Sequence, residues 1–334
     1  MITAALLNEE VRLRAFLLAG MAQLAYEAEA EERSLRLLAW GLKERRWIGA
    51  PNPAPHPTDT ECTLIEGDDI LLFAFRGTET DTTEIRNILD LLNDGLAAQG
   101  IFFGTKVHSG FAHATLAVMN VVAEEVETAG RDRAVWVTGH SLGGAIAQLA
   151  SFRLCTLGRA PQGVITYGAP RVGGLIWKAS AAAAGLTELA ERWVNTNDPA
   201  PRLPFTIQVP IIIPLSPIWT SVGRVNYVDW PHRTIHLDHV DPVDEHLPTT
   251  DYTDHAINRY KLRIWQLLSP EEKNRLVAIF NPILTWRETA GRLVRDGIIP
   301  GPGNGSLRAI MDNIFVSEAI DPESSLRVFL TRHF

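Results

Sequence analysis

The sequence holds little sulfur, no excess of positive charge and no hydrophobic run long enough to cross a bilayer. Its cysteines number two in 334 residues, Cys62 and Cys155. Two distant thiols make neither a zinc ribbon nor a disulfide framework, and they are read as buried free thiols of a reducing compartment. Lys plus Arg number 31 against 39 Asp plus Glu, a net charge of -8, so a polyanion is repelled at long range and nucleic acid is not an expected partner. The longest apolar stretch, Ile207 to Trp219, carries Pro210, Pro214 and Pro217; it cannot cross roughly 30 Å of hydrocarbon as a helix. The first ten residues lack a basic segment, and Glu9 and Glu10 cut off any apolar run. No standard secretory signal is read there, and a cytoplasmic location is expected, with adsorption to a lipid surface as the nearest approach to a membrane.

What is present is an ordinary globular composition, 46% hydrophobic and 21% charged, able to build a core. Residues 9–48 have helical spacing, with Val11, Ala15, Leu18 and Met21 on one face and a charged segment from Glu31 to Trp47, which predicts two helices. Prolines at 51, 53, 55 and 57 exclude helix and central strand, so residues 50–59 are a connector. Cys62 to Ile65 and Ile70 to Phe75 are β-like runs joined by Glu66-Gly67-Asp68-Asp69, a hairpin signal. Helices are then expected over 110–129, 142–157 and 175–184, and strands over 134–138, 163–167 and 192–195. Such alternation implies an α/β fold with a mainly parallel sheet flanked by helices, its active site outside the carboxyl ends of the strands. Helix is expected again over 256–268, and Ser269-Pro270-Glu271-Glu272 opens another with its cap, N1 proline and first-turn acids. The divisions are 1–58, N-terminal helices and connector; 59–268, the core; and 269–334, a C-terminal helical extension.

The strongest local signal is Gly139-His140-Ser141-Leu142-Gly143 between a strand and a helix. This is G-x-S-x-G in the context that gives it meaning, a sharp strand-to-helix turn that exposes a serine. A serine hydroxyl is a poor nucleophile until a histidine takes its proton, and the histidine needs a carboxylate to fix its tautomer. Beyond Ser141 the first aspartate is Asp198, just past a predicted strand, with Glu188 and Glu191 as earlier candidates at the wrong end. The base must come from His232, His236, His239, His246, His255 or His333; His255, in a polar loop ahead of a helix, is the best placed. An oxyanion hole needs one N–H from the residue after the nucleophile, Leu142, and one from a loop after an earlier strand, where Gly77-Thr78 ends the run from Phe73.

Together these residues resemble the class 3 lipases, the fungal-type lipase family of the α/β-hydrolase fold. The matching pieces, in family order, are Phe75-Arg-Gly-Thr78, Val107-His-Ser-Gly-Phe111, Gly139-His-Ser-Leu-Gly-Gly144, Thr166-Tyr-Gly-Ala-Pro-Arg-Val-Gly173, Asn197-Asp-Pro-Ala-Pro-Arg-Leu-Pro204 and Asp254-His255 with Tyr260. They cover roughly residues 60–265. The resemblance implies Ser141, Asp198 and His255 as a triad, Thr78 and Leu142 as oxyanion donors, and an acyl ester or lipid as the small-molecule substrate, with no cofactor. His108 and Tyr167 are expected to shape and pack the site. The rivals are an acyltransferase using the same triad and a lipid-binding protein with a dead site.

Three further features are weighed. The segment Thr82 to Leu92 has Ile85, Ile88, Leu89 and Leu92 at helical spacing but lacks the tryptophan many relatives carry there; it is a lid with an aliphatic face or a core helix, and the lid is favoured. Ile207 to Trp219, with Ile211 and Ile213, borders the site as an acyl-chain wall or interface lip, or else tucks under the C-terminal helices. The run Asp229 to His246 holds many histidines and aspartates without metal-specific spacing, and no metal site is expected.

Overall fold

The structure is a computed structural model that describes residues 2–49, 60–77, 99–129, 132–204, 218–239 and 252–280. Among these, helices α1 (Ala4–Glu9), α2 (Val11–Leu24) and α3 (Ala30–Ala39) precede strands β1 (Lys43–Gly49), β2 (Glu61–Glu66) and β3 (Ile70–Phe75). A hairpin, β4 (Gln99–Phe102) and β5 (Thr105–His108), leads into α4 (Ser109–Ala129), followed by β6 (Ala134–His140), α5 (Leu142–Thr156) and β7 (Gly163–Tyr167). Next come α6 (Leu175–Ala183), α7 (Leu186–Leu189), β8 (Ala190–Asn195), β9 (Arg224–Asp229), β10 (Thr234–His239), α8 (Ile257–Leu267) and α9 (Pro270–Phe280).

The main sheet runs β1-β2-β3-β6-β7-β8-β9-β10. Pairings from β3 through β9 are parallel, and the two edges are antiparallel. Both faces of the central strands are covered, which is why β3 is a continuous apolar run and not an alternating one. Leu71, Phe73 and Phe75 join the core under α4, α5 and α6. Ile70, Leu72 and Ala74 join the core under α1, α2, α3, α8 and α9. This is the mainly parallel, helix-flanked α/β architecture expected from the sequence.

The structure differs from local expectation in three places. The segment Glu31 to Trp47 is not one helix. Gly41, with φ 73°, takes the left-handed conformation after α3, and the Leu42 and Gly41 N–H groups bond the carbonyls of Leu37 and Leu38 at 2.9 and 3.0 Å. This double closure stops the helix, so Lys43–Gly49 becomes an edge strand paired with β2. The hairpins β4–β5 and β9–β10 were also not anticipated. Both cysteines are free, but Cys155 is only half-buried where two buried thiols were expected. No described helix is long and apolar enough to cross a membrane.

Candidate active site

The site forms where the parallel strands end. Strand β6 stops at His140, and Ser141 makes the turn into α5 with φ 56° and ψ −128°, a strained conformation for a residue bearing a side chain. The strand and helix approach so closely that a Cβ on Gly139 would lie 2.3 Å from the Gly143 carbonyl oxygen, and one on Gly143 would lie 2.2 Å from the Phe75 oxygen. Glycine at both places is therefore a steric requirement of the turn. The Ser141 N–H donates to Tyr167 O at 2.9 Å, pinning the elbow to the neighbouring strand.

Asp198 follows β8, its N–H bonded to Asn195 O at 2.8 Å. His255 ends a short 3-10 turn, Tyr252–His255, just ahead of α8. Ser141, Asp198 and His255 are 5, 0 and 1% exposed. His255 Nε2 lies 2.8 Å from Ser141 Oγ, and its Nδ1 lies 3.0 Å from each Asp198 carboxylate oxygen. An ionised carboxylate only accepts, so Nδ1–H donates to it and Nε2 is left to accept the serine proton. A hydroxyl, an imidazole and a carboxylate thus meet in one hydrogen-bonded line, an arrangement that has the groups nucleophilic attack on a carbonyl needs.

Asp198 is held further by Tyr260 on α8, whose hydroxyl donates to Oδ2 at 2.5 Å, and by the Ala200 N–H, which donates to Oδ1 at 2.9 Å. Burial alone would push this carboxyl up; the adjoining His255 and the bonds from His255, Tyr260 and Ala200 outweigh burial and hold it below the usual carboxylate value. The turn bearing His255 is fixed by its neighbour. Asp254 accepts from Arg263 Nη2 at 2.7 Å, and its carbonyl accepts from Asn195 Nδ2 at 2.8 Å, while Arg263 Nη1 donates to Asn195 Oδ1 at 2.6 Å. The Tyr260 phenol is raised well above its ordinary value, by burial first and by the Asp198 charge next, and so stays a donor.

Leu142 opens α5, and its N–H is one of the first-turn donors that a helix cannot satisfy internally. The N–H groups of Gly144 and Ala145 already turn back onto Ser141 O, at 2.9 and 3.3 Å. Gly77 reaches the same place from β3: a Cβ on it would lie 3.3 Å from Ser141 Cβ. Thr78, Ile85, Ile88, Leu89, Ile211 and Ile213 lie outside the described residues, as do the 82–92 segment and all but Ile218 and Trp219 of the 207–219 stretch. His108 stacks on Phe111 with ring centroids 4.3 Å apart, and Tyr167 donates to Ala15 O at 2.5 Å; both pack elements together. In the histidine-rich run, His232 and His236 share Asp229 at 2.9 and 3.5 Å, and among the described residues no group of three such side chains is arranged to hold a metal ion.

Sequence reasoning left Tyr260 as part of a motif without a role, and it did not find Asn195, Arg263 or Tyr26. The signal for Tyr260 was present: it stands five residues after His255, at the start of a helix that has to pack beside the acid. Tyr26 carried no comparable signal, because it lies 115 residues before the nucleophile.

The family model described as Lipase (class 3) matches residues 72–208. Phospholipase A(1) DAD1, chloroplastic, of Arabidopsis thaliana is 28% identical over 221 residues, covering 59% of this chain and 48% of that protein. Secreted mono- and diacylglycerol lipase 1 of Fusarium solani is 34% identical over 123 residues, 36% of each. The chain thus spans about half the length, or less, of these curated relatives. Lipase II from Rhizopus niveus superposes with a TM-score of 0.56 at 24% identity, over 73% of this chain and 92% of that one. Triacylglyceride lipase of Rhizomucor miehei gives 0.55 at 23%, over 76% and 94%. These structural likenesses carry the α/β-hydrolase fold. The names of the relatives overturn the expected cytoplasmic location, since they describe one protein as secreted and another as chloroplastic; neither scarce cysteine nor an unremarkable first ten residues decides a compartment. Over residues 72–208 the chain matches the class 3 lipase family model, and its fold is the α/β-hydrolase fold of the solved fungal lipases.

Proposed function

We propose that the protein is a serine carboxylic-ester hydrolase acting on acyl esters of lipids. The observation that carries this reading is the unbroken line from Ser141 Oγ through His255 to Asp198, buried at the carboxyl ends of the strands. Ser141 Oγ attacks the ester carbonyl while His255 Nε2 takes its proton. The N–H groups of Leu142 and Thr78 stabilise the resulting oxyanion. The ester C–O bond then breaks, and the imidazolium returns the proton to the departing alcohol. Water attacks the acyl-serine, again losing its proton to His255, and the fatty acid leaves as Ser141 regains its hydrogen. Asp198 remains ionised throughout, orienting the imidazole and balancing its transient charge.

A lipid substrate is supported by the names of the relatives, which are lipases and phospholipases A1, and by exposed apolar side chains near the strand ends. Leu175 and Ile176, at the start of α6, are 59 and 53% exposed, and Ile218 is 38% exposed. A Cβ on Gly174 would lie 2.8 Å from Ile218 O, so the backbone leading into α6 runs beside that of Ile218, and exposed apolar residues on both segments suit contact with acyl chains or a lipid surface.

The test is a panel of p-nitrophenyl, glyceride and phospholipid esters, each with and without an emulsion, run beside the Ser141→Ala protein. Turnover in the native chain and a loss of roughly 10⁶ in kcat for the variant are expected, on the scale known for triad serines. Near-native turnover by Ser141→Ala, or native protein that neither hydrolyses any ester nor reacts with a fluorophosphonate, would overturn the reading.

A further inference from the structure

Tyr26 lies outside the family-matched segment, one residue past the C-cap of α2, yet its hydroxyl is 2.8 Å from His140 Nδ1. On the far side of that ring, His140 Nε2 lies 2.6 Å from the backbone carbonyl oxygen of His255. The protonation pattern follows from the partners. A carbonyl oxygen only accepts, so His140 Nε2 carries the hydrogen. Burial, followed by the neighbouring His255, pushes His140 down to about 3, so its ring is neutral and Nδ1 must accept. The Tyr26 hydroxyl is therefore the donor. Gly77 packs directly against its oxygen, so closely that a Cβ on Gly77 would lie only 2.3 Å away. Gly77 leads directly into the loop assigned to the oxyanion.

We infer that Tyr26 is a positioning residue for the hydrolase. Its hydroxyl ties the oxyanion loop at Gly77 to the imidazole of His140, and through that imidazole to the backbone of the general base, His255. This inference rests on the hydrolase reading and deepens it: the N-terminal helix supplies a part of the catalytic geometry that the matched segment lacks. Without the hydroxyl, His140 Nδ1 loses its donor, and the ring that holds the His255 carbonyl is anchored from one side only. A shift of the base by a fraction of an ångström lowers the rate of proton transfer while leaving the acyl-chain contacts unchanged.

The test compares native protein with Tyr26→Phe, which keeps the ring packed against His140 at its present centroid separation of 5.9 Å. The expected result is a fall in kcat of roughly 10- to 100-fold with KM within about twofold, and an equal slowing of fluorophosphonate labelling. In a His140→Gln background the same substitution should add less than about twofold, because the path runs through His140. Gln23→Ala, three residues earlier on α2, breaks the 2.6 Å bond to Lys261 Nζ and controls for general loosening of the helix; it should lower the melting temperature and leave kcat unchanged. An active native enzyme with normal kcat in Tyr26→Phe would overturn the inference alone. So would a full additional loss in the His140→Gln background, or an equal kcat loss in Gln23→Ala. Failure of the hydrolase reading would be seen separately, as native protein inert towards every ester and the probe.

Discussion

The two faces of the central sheet are built in different ways. The helices α4, α5 and α6 cover one face with a single stretch of sequence, residues 109–183, and their core includes Phe102, Phe152 and Trp177. The other face is closed by the two ends of the described chain, α1 to α3 and α8 to α9. There Phe16 meets Trp265 at 5.3 Å between centroids, Arg14 pairs with Glu191 at 2.6 Å, and Gln23 holds Lys261. The proposed nucleophile, Ser141, belongs to the first, local construction, since its elbow needs only β6, α5 and the turn between them. The proposed base and the support of the proposed acid belong to the second, because His255 and Tyr260 ride on α8 and its lead-in. A lesion in the first face should therefore loosen the fold, whereas loss of a large core side chain packed against α8 in the second should also disturb the line from Ser141 to Asp198.

The most severe test removes the charge that joins the two constructions. Asp198→Asn keeps the shape but presents an amide where His255 Nδ1–H and the Tyr260 hydroxyl both need an acceptor. A loss on the order of 10⁴ in kcat is expected, the scale seen when a triad carboxylate is made neutral. A fall of less than about tenfold in a p-nitrophenyl ester assay would separate Asp198 from the proposed chemistry.

A matched pair of core truncations tests the comparison itself. Phe152→Ala, facing Phe102 and Trp177, and Phe16→Ala, facing Trp265, should each cost about 3–5 kcal/mol in urea unfolding. Per folded molecule, Phe152→Ala should retain kcat, and Phe16→Ala should lower it by loosening α8. Equal kcat in both variants would mean that the end-built face supports stability alone. On a smaller scale, Tyr260→Phe deletes one hydrogen bond to a charged group, worth about 1.5–3 kcal/mol, and leaves the Asn195 N–H, now 3.1 Å from the phenol oxygen, without that partner. A kcat loss of about tenfold is expected, together with acid unfolding that begins at higher pH. Asp198 is held below its unfolded value, so its contribution is complete above about pH 4 and lost as pH falls through the folded value; weaker support moves that loss upward.

The same contrast explains what could be read from the sequence. Ser141 and Asp198 stand out as candidates because each sits in a short motif beside a strand end, and His255 because it lies in a polar loop ahead of a helix; the order of strands and helices from 134 to 195 follows from local patterns. The edge strand β1 was missed because the charged, helix-like run Glu31 to Trp47 conceals the stop at Gly41. The hairpin β9–β10 was missed because its histidines and aspartates drew attention as ligands, whereas Asp229 faces His232 and His236 in local pairs. Tyr26 and Asn195 were invisible for a different reason. Their roles come from approaches between distant segments, 114 residues apart for Tyr26 and His140, and no local period encodes them.

The mildest prediction probes the seam between the two chain ends by pH. Lys261, on α8, is buried beside α2, and burial first, with the Arg36 charge second, pushes its ammonium down to about 7. In the unfolded chain a lysine keeps its proton to about 10.4. Above pH 7 the unfolded state therefore binds more protons than the native state, and unfolding free energy rises with pH until the unfolded lysine titrates. Below pH 7 the cost of the buried charge is fully present. Between pH 7.5 and 8.5 this group should add up to about 1.4 kcal/mol, while the neutral amine still donates to Gln23 Oε1. Lys261→Met has similar length and no charge, so its stability curve should lack that rise, and the two proteins should differ most at and below pH 7. Parallel curves for native and Lys261→Met protein across pH 6–9 would mean that this lysine is held charged, and that the seam between α2 and α8 is wetter than its packing implies.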